Sequence, residues 1–185
     1  MKVLQTAIPG VLIIEPSLFG DSRGFFTEMY QAQRYADAGI PPHFVQDNLS
    51  RSARGVLRGL HIQNPRPQGK LVTVLRGAVL DVAVDVRVGS ATFGQHVAVE
   101  LNDENRRQLW VPRGFAHGFA VRSESADFFY KCDEFYSPTD ELVMKFDDPD
   151  IGIDWQCAAP QVSERDRQGR TLRELESLLP RYVTI

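Results

Sequence analysis

Cysteine is scarce in this chain of 185 residues, which holds only Cys132 and Cys157. Neither sits in a C-x-x-C pair, and the opening Met1-Lys2-Val3-Leu4-Gln5-Thr6 lacks the long apolar core and small-residue cleavage site of a secretory leader. Reduced thiols and a cytoplasmic location are therefore expected. No apolar run approaches the ~18 residues needed to cross a bilayer as a helix, so no membrane partner is expected. Charge of one sign is also lacking. The 21 basic and 24 acidic residues leave a formal charge of −3, which argues against a nucleic-acid partner but not against a cationic pocket for one small anion. Repeats, low-complexity tracts and linker-like breaks are absent, so residues 1–185 read as one domain. A chain of this size buries roughly 70% of its unfolded surface and needs no disulfide or metal staple.

Glycine is plentiful and evenly spread. Gly10, Gly20, Gly24, Gly55, Gly59, Gly69, Gly77, Gly89, Gly94, Gly114 and Gly118 separate short segments rich in Val, Leu, Ile and Phe. That spacing predicts a mainly β sandwich or barrel. Strands are predicted over 11–15, 44–49, 56–63, 70–76, 79–86, 95–101, 108–111, 115–121, 126–132 and 142–146. In the clearest of them, Leu80, Val82, Val84 and Val86 point one way and Asp81, Ala83 and Asp85 the other, so that second face should meet water or a polar cavity. Helices are few. One is predicted over 31–38, stopped by Gly39, and another opens at the capping box Thr171-Leu172-Arg173-Glu174, carries an apolar stripe of Leu172, Leu175, Leu178 and Leu179, and ends at Pro180.

Histidine is rare: His43, His61, His96 and His117 are the full set. A metal-binding β-barrel commonly offers H-x-H, but here the strand reads His61-Ile62-Gln63, and a neutral glutamine is a poor transition-metal ligand. No metal is expected. An imidazole titrates near working pH, so His61 is a candidate general base, although a hydrogen-bonded sheet histidine would equally explain it. His117 is flanked by Phe115 and Phe119, and packing alone would account for it. Tyr130 alternates with Phe128 and Cys132; it is either a core tyrosine or a phenolic acid able to protonate a carbanion in a dry pocket. Arg23, Arg58 and Lys70 each adjoin a glycine, where cations can close on a diphosphate or remain simple surface charges.

Taken in order, Gly20-Asp21-Ser22-Arg23-Gly24-Phe25-Phe26, Phe44-Val45-Gln46-Asp47-Asn48, Leu57-Arg58-Gly59-Leu60-His61, Gln68-Gly69-Lys70-Leu71, Trp110-Val111-Pro112, Gly114-Phe115-Ala116-His117-Gly118-Phe119 and Tyr130-Lys131 resemble the dTDP-4-dehydrorhamnose 3,5-epimerase family nearly end to end. The resemblance implies a cupin-type jelly roll with its core at about 44–147, N-terminal strands and a C-terminal helical segment packed on it, a homodimer, and catalysis without metal or cofactor. It implies that His61 is the base, Asp166 its supporting carboxylate, Tyr130 the acid on the opposite face of the sugar, and Lys70 a cation near the keto oxygen. It further implies substrate contacts from Arg23, Glu28, Gln46, Asn48, Arg58, His117 and Glu141, with Phe26 and Tyr136 against the thymine. Arg165 stands where the family commonly has lysine, keeping the charge but changing its shape at a substrate-binding position.

The implied substrate, dTDP-4-dehydro-6-deoxy-D-glucose, has acidic hydrogens on carbons 3 and 5 because both flank a ketone. Abstraction gives an enolate, and reprotonation from the other face inverts the centre. The alternatives are inversion of one carbon only, a non-catalytic sugar-nucleotide binder, and a metal-dependent oxygenase, the last disfavoured by Gln63. One geometric conflict stands. Arg58 and His61 are three residues apart, so strict alternation sends them to opposite faces unless the strand bulges at Gly59 or Arg58 serves a partner subunit's site.

Overall fold

Period-two alternation becomes packed antiparallel sheets in the computed structural model, which describes residues 1–183. The chain begins with β1 (Lys2–Gln5), β2 (Leu12–Glu15), β3 (Leu18–Asp21), β4 (Gly24–Thr27) and helix α1 (Ala32–Ala36). It continues with β5 (Gln46–Ala53), β6 (Leu57–Gln63), β7 (Lys70–Arg76), β8 (Ala78–Asp85) and β9 (His96–Asn102). Next come β10 (Gln108–Val111), β11 (Phe115–Val121), β12 (Ser125–Cys132) and β13 (Glu141–Val143), then the short helices α2 (Glu164–Arg167) and α3 (Leu172–Leu175). One sheet runs β1-β2-β10-β7-β12-β5, a second runs β13-β6-β11-β8-β9, and β3 pairs only with β4. The result is the mainly β, cupin-type jelly roll expected from the sequence.

Between the sheets lies an apolar core that includes Val72, Val74, Val99, Leu109, Phe119 and Phe128. Phe119 and Phe128, from opposite sheets, stack with ring centroids 4.0 Å apart. The outer face of the five-stranded sheet is buried as well: Leu80, Val82, Val84 and Val86 pack against Met144, Trp155, Leu172, Leu175 and Leu179 of the C-terminal segment. The capping box opens α3 as predicted, with Thr171 and Glu174 capping each other, and buried Asp148 accepts from Leu172 N at 2.6 Å. Leu178 departs from the predicted stripe and is 44% exposed. The chain tightens to a 3-10 turn over Glu176–Leu178, which rotates that side chain outward.

Strands β1, β3 and β4 lie outside the predicted set. The Asp81–Asp85 face does not meet water. Both carboxylates are buried, Asp85 within a network from Arg87, Ser90 and Thr92 and Asp81 against His117.

The conflict on β6 is resolved by a bulge. Opposite β11, His61 pairs with His117 and Arg58 with Phe119, so the three-residue step on β6 faces a two-residue step on β11. Arg58 and His61 therefore line the same cavity, while Leu60 turns to the outer apolar layer. Gly59 has φ +130°, and a Cβ there would lie 2.6 Å from Gly118 Cα and 2.9 Å from His117 O. Only glycine tolerates both the conformation and the approach. Gly59→Ala is expected to lose roughly 2–5 kcal/mol, combining backbone strain with overpacking, as measured by urea denaturation.

Candidate active site

At one end of the sandwich the facing rows turn polar. On the six-stranded sheet, cross-strand pairing aligns Asn48 with Tyr130 and Val72, and Gln46 with Cys132 and Lys70. On the other sheet stand Arg58, His61 and His117, with Asp166 of α2 and Glu141 of β13 beside them. They enclose a cavity of about 690 Å³. Of the sequence-predicted residues, His61, Lys70, Tyr130, Asp166, Gln46, Asn48, Arg58, His117, Tyr136, Glu141 and Arg165 all line it.

His61 and Asp166 are 105 positions apart, yet His61 Nε2 lies 2.7 Å from Asp166 Oδ1. The segment carrying Asp166 is pinned to β6, where Leu57 N donates to Gln161 O at 2.9 Å and Gly59 N to Asp166 Oδ2 at 3.4 Å. Ser163 caps α2 by accepting from Asp166 N. Burial opposes ionisation of Asp166, but hydrogen bonds from His61 and Gly59 outweigh it and hold the carboxyl below its ordinary value. An ionised carboxylate only accepts, so His61 Nε2 carries the hydrogen and Nδ1 is the basic nitrogen.

Tyr130 belongs to the opposite sheet. Desolvation pushes its phenol up to about 12, with Cys132 adding and Arg58 opposing, so the hydroxyl stays protonated at neutral pH. Lys70 is moved the other way: desolvation pulls its ammonium below the ordinary value, while Cys132, Glu141 and Asp81 draw it back up. Burial also raises the Cys132 thiol to about 11, and both cysteines are free.

At the mouth, Glu141 gathers two partners, accepting from Tyr136 OH at 2.8 Å and from Arg165 Nη1 at 2.5 Å. Gln46 Oε1 accepts from Tyr136 N at 2.9 Å. Gln63 does not face the cavity as a ligand would. Its amide donates to Arg66 O and Phe135 O and accepts from Ser137 N, fastening the loop that carries Tyr136. Among the described residues, no group of three His, Cys, Asp or Glu side chains is arranged to hold a metal ion.

Three expected contacts are not brought to this cavity. Arg23 and Phe26 belong to the β3–β4 hairpin, where Arg23 is paired with Asp21 at 2.6 Å and Phe26 is 67% exposed. Glu28 is paired with Arg34 at 2.9 Å. The strands of the hairpin pair only with each other, outside the two sheets that enclose the cavity, and Arg106 packs over the Phe25 ring at 3.7 Å. The sequence assigns no role to four residues that do line the cavity: Ser50, Gln161 and Ser163, which carry no charge, and Gln68, which stands in the quoted Gln68-Gly69-Lys70-Leu71. It left Asp81 as a strand acid, although its alternation with Ala83 and Asp85 was the available signal.

The sequence matches the family described as dTDP-4-dehydrorhamnose 3,5-epimerase over residues 5–174. The dTDP-4-dehydrorhamnose 3,5-epimerase of Pseudomonas aeruginosa is 53% identical over 178 residues, which cover 95% of this chain and 98% of that protein. A Streptomyces niveus protein named dTDP-4-dehydrorhamnose 3-epimerase is 40% identical, over all of this chain and 91% of its own. Among solved structures, the dTDP-6-deoxy-D-glucose-3,5-epimerase of Legionella pneumophila, in complex with dTDP-4-keto-L-rhamnose, is 52% identical with a TM-score of 0.96, covering 99% of each chain. Likeness of this extent, in sequence and in backbone alike, means that the chain belongs to the dTDP-4-dehydrorhamnose 3,5-epimerase family.

Proposed function

We propose that this protein is an isomerase that inverts carbons 3 and 5 of dTDP-4-dehydro-6-deoxy-D-glucose, giving dTDP-4-dehydro-L-rhamnose through an enolate, without a cofactor. The observation that carries this reading is a His61–Asp166 dyad, its histidine on one sheet and its carboxylate on α2, facing a protonated Tyr130 on the other sheet, all lining one cavity. Double inversion is favoured over single because relatives at 52–53% identity are named as 3,5-epimerases, whereas a Streptomyces niveus protein named as a 3-epimerase is 40% identical.

In this mechanism His61 Nδ1 takes the proton from carbon 3 or carbon 5, and Asp166 orients the ring and stabilises the imidazolium that forms. A well-placed base supplies roughly 10²–10⁴-fold, or about 3–5 kcal/mol. The negative charge then gathers on the keto oxygen, where Lys70 provides a cation; one such donor contributes on the order of 3–4 kcal/mol in a dry site. Tyr130 returns a proton from the opposite face, and its raised pKa keeps that proton available. Arg58 grips the diphosphate, Gln46, Asn48, His117 and Glu141 contact the substrate, Tyr136 stacks on the thymine, and Arg165 holds the mouth through Glu141.

The working unit in this reading is a homodimer in which the hairpin of one copy completes the cavity of the other. Two features support it. The β3–β4 hairpin exposes Phe19, Phe25 and Phe26 and carries Arg23 away from its own cavity. The outer face of the six-stranded sheet also leaves Leu49 and Leu75 exposed, an apolar surface that a second copy would cover. Free thiols and a nucleotide-sugar substrate fit a cytoplasmic location. Among the described residues, no helix is long and apolar enough to cross a membrane.

In deuterium oxide, the wild-type protein is expected to place label at both carbons 3 and 5 of the 4-keto nucleotide, read by NMR. His61→Asn should lower kcat about 10²–10⁴-fold. Tyr130→Phe should still exchange label into unreacted substrate, because His61 returns the proton to the face it came from, but should lose inversion. Label at a single carbon in the wild type would instead establish the mono-epimerase. The pH profile has a definite sign. As pH rises, Lys70 discharges below its ordinary 10.5 while Tyr130 stays protonated until about 12, so kcat/KM should fall on the alkaline side before the phenol ionises, and Lys70→Gln should abolish that limb. The dimer reading is tested by mixing. Arg23→Ala and His61→Asn proteins, each weak alone, should regain about a quarter of wild-type activity when refolded together, since half the dimers then hold one intact site. No recovery would show that Arg23 does not act across the interface.

A further inference from the structure

Buried within the five-stranded sheet is a second histidine–carboxylate pair. Asp81 on β8 is fully buried in an otherwise apolar run of valines, leucine and alanine. Both of its oxygens lie 3.0 Å from His117 Nε2 on the neighbouring strand β11. A single N–H directed between two equivalent carboxylate oxygens fits this geometry, whereas a hydroxyl on one oxygen would favour that oxygen alone. The ring is also held from the side, stacked on Phe128 with centroids 6.1 Å apart and planes 25° from parallel.

The other ring nitrogen, Nδ1, has no protein partner, yet no buried side-chain nitrogen or oxygen among the described residues lacks one. Nδ1 therefore reaches the open space of the cavity that His117 lines. Directly across the strand pair stands His61, the cross-strand partner of His117.

We propose that Asp81 is a positioning residue that fixes His117 as the Nε2–H tautomer, so that Nδ1 is offered to the cavity as an acceptor for a hydroxyl of the hexose. An imidazole lone pair accepts from a hydroxyl and disfavours a phosphate oxygen, so the pair selects for the sugar and not for the nucleotide's diphosphate. The inference rests on reading the cavity as a sugar-nucleotide site, but it is tested without turnover.

The first measurement is a two-bond ¹H–¹⁵N correlation spectrum of the labelled full-length protein, with the His117 signals assigned by their loss in His117→Gln. A single Nε2–H tautomer is expected; an Nδ1–H tautomer or an imidazolium at neutral pH overturns the proposal. The second is calorimetric binding of dTDP and of dTDP-glucose to wild type and to Asp81→Asn, in which the amide can turn either end to Nε2 and so no longer dictates the tautomer. Binding of dTDP should be unchanged, while that of dTDP-glucose should weaken about tenfold, the scale of one hydrogen bond. Equal losses for both ligands, no loss for either, or a wild type that does not bind dTDP-glucose would each overturn it. Should Asp81→Asn fail to fold, the wild-type spectrum still decides. If the wild type binds dTDP-glucose as expected but exchanges no deuterium into the 4-keto nucleotide, the epimerase reading fails and this one stands.

Discussion

The 2.7 Å contact between His61 and Asp166 joins the middle of the chain to its C-terminal part, and much of the site's geometry serves it. Removing a carboxylate from water costs several kcal/mol unless its oxygens are satisfied. Here Oδ1 faces the imidazole, Oδ2 faces Gly59 N, and the one-turn helix that carries the aspartate is capped by Ser163. The same Gly59 permits the bulge that turns Arg58 and His61 to one side. The approach of Gly59 to Gly118 is thus a requirement of the dyad as well as of the sheet, because a side chain at position 59 would push apart the strands that set the imidazole against its carboxylate.

A two-sheet sandwich also suits chemistry that must reach a flat ring from both faces. With His61 on β6 and Tyr130 on β12, the separation of the two side chains is held by the packing of two whole sheets rather than by a loop. The apolar end of the same interior, anchored by the Phe119–Phe128 stack, supplies the rigidity. Deep in the cavity, desolvation moves the lysine and the tyrosine in opposite directions, lowering one pKa and raising the other. One physical cause thereby leaves Tyr130 firmly protonated and makes the Lys70 ammonium easier to discharge than a free one.

The alternation in the strand over 79–86 was enough to read its outer apolar face, and regular glycine punctuation was enough to read a β sandwich. Both signals are local, and local signals survive in a single sequence. The alignment of Asn48 with Tyr130 is not local; it depends on the register between strands far apart in the chain, and only the resemblance to a known family gathered those two residues beforehand. The same resemblance gathered Arg23, Phe26 and Glu28 into the site, which a single copy of the chain does not do. A motif records which residues meet a substrate, not which copy of the chain provides them. Asp81 is the converse case: its alternation with Ala83 and Asp85 marks a polar face, but its partner, His117, lies on another strand, and no spacing identifies that partner.

The carboxylate contacts around the cavity fall into two classes that differ in strength. Asp166 and Asp81 are almost wholly buried, so their partners are held in a low-dielectric setting where a lost hydrogen bond is expensive. Arg165 has its side chain 54% exposed, and its bond to Glu141 is of the surface kind, worth about 0–1 kcal/mol net. The planar fork of Arg165 can hold Glu141 while its Nε stays 4.0 Å from Asp166, so the mouth is linked to the dyad without competing for its proton. Rigidity deep in the cavity and weak attachment at the rim divide the work: the reacting groups keep their geometry, and the residues around the entrance exchange partners at little cost when a charged nucleotide arrives.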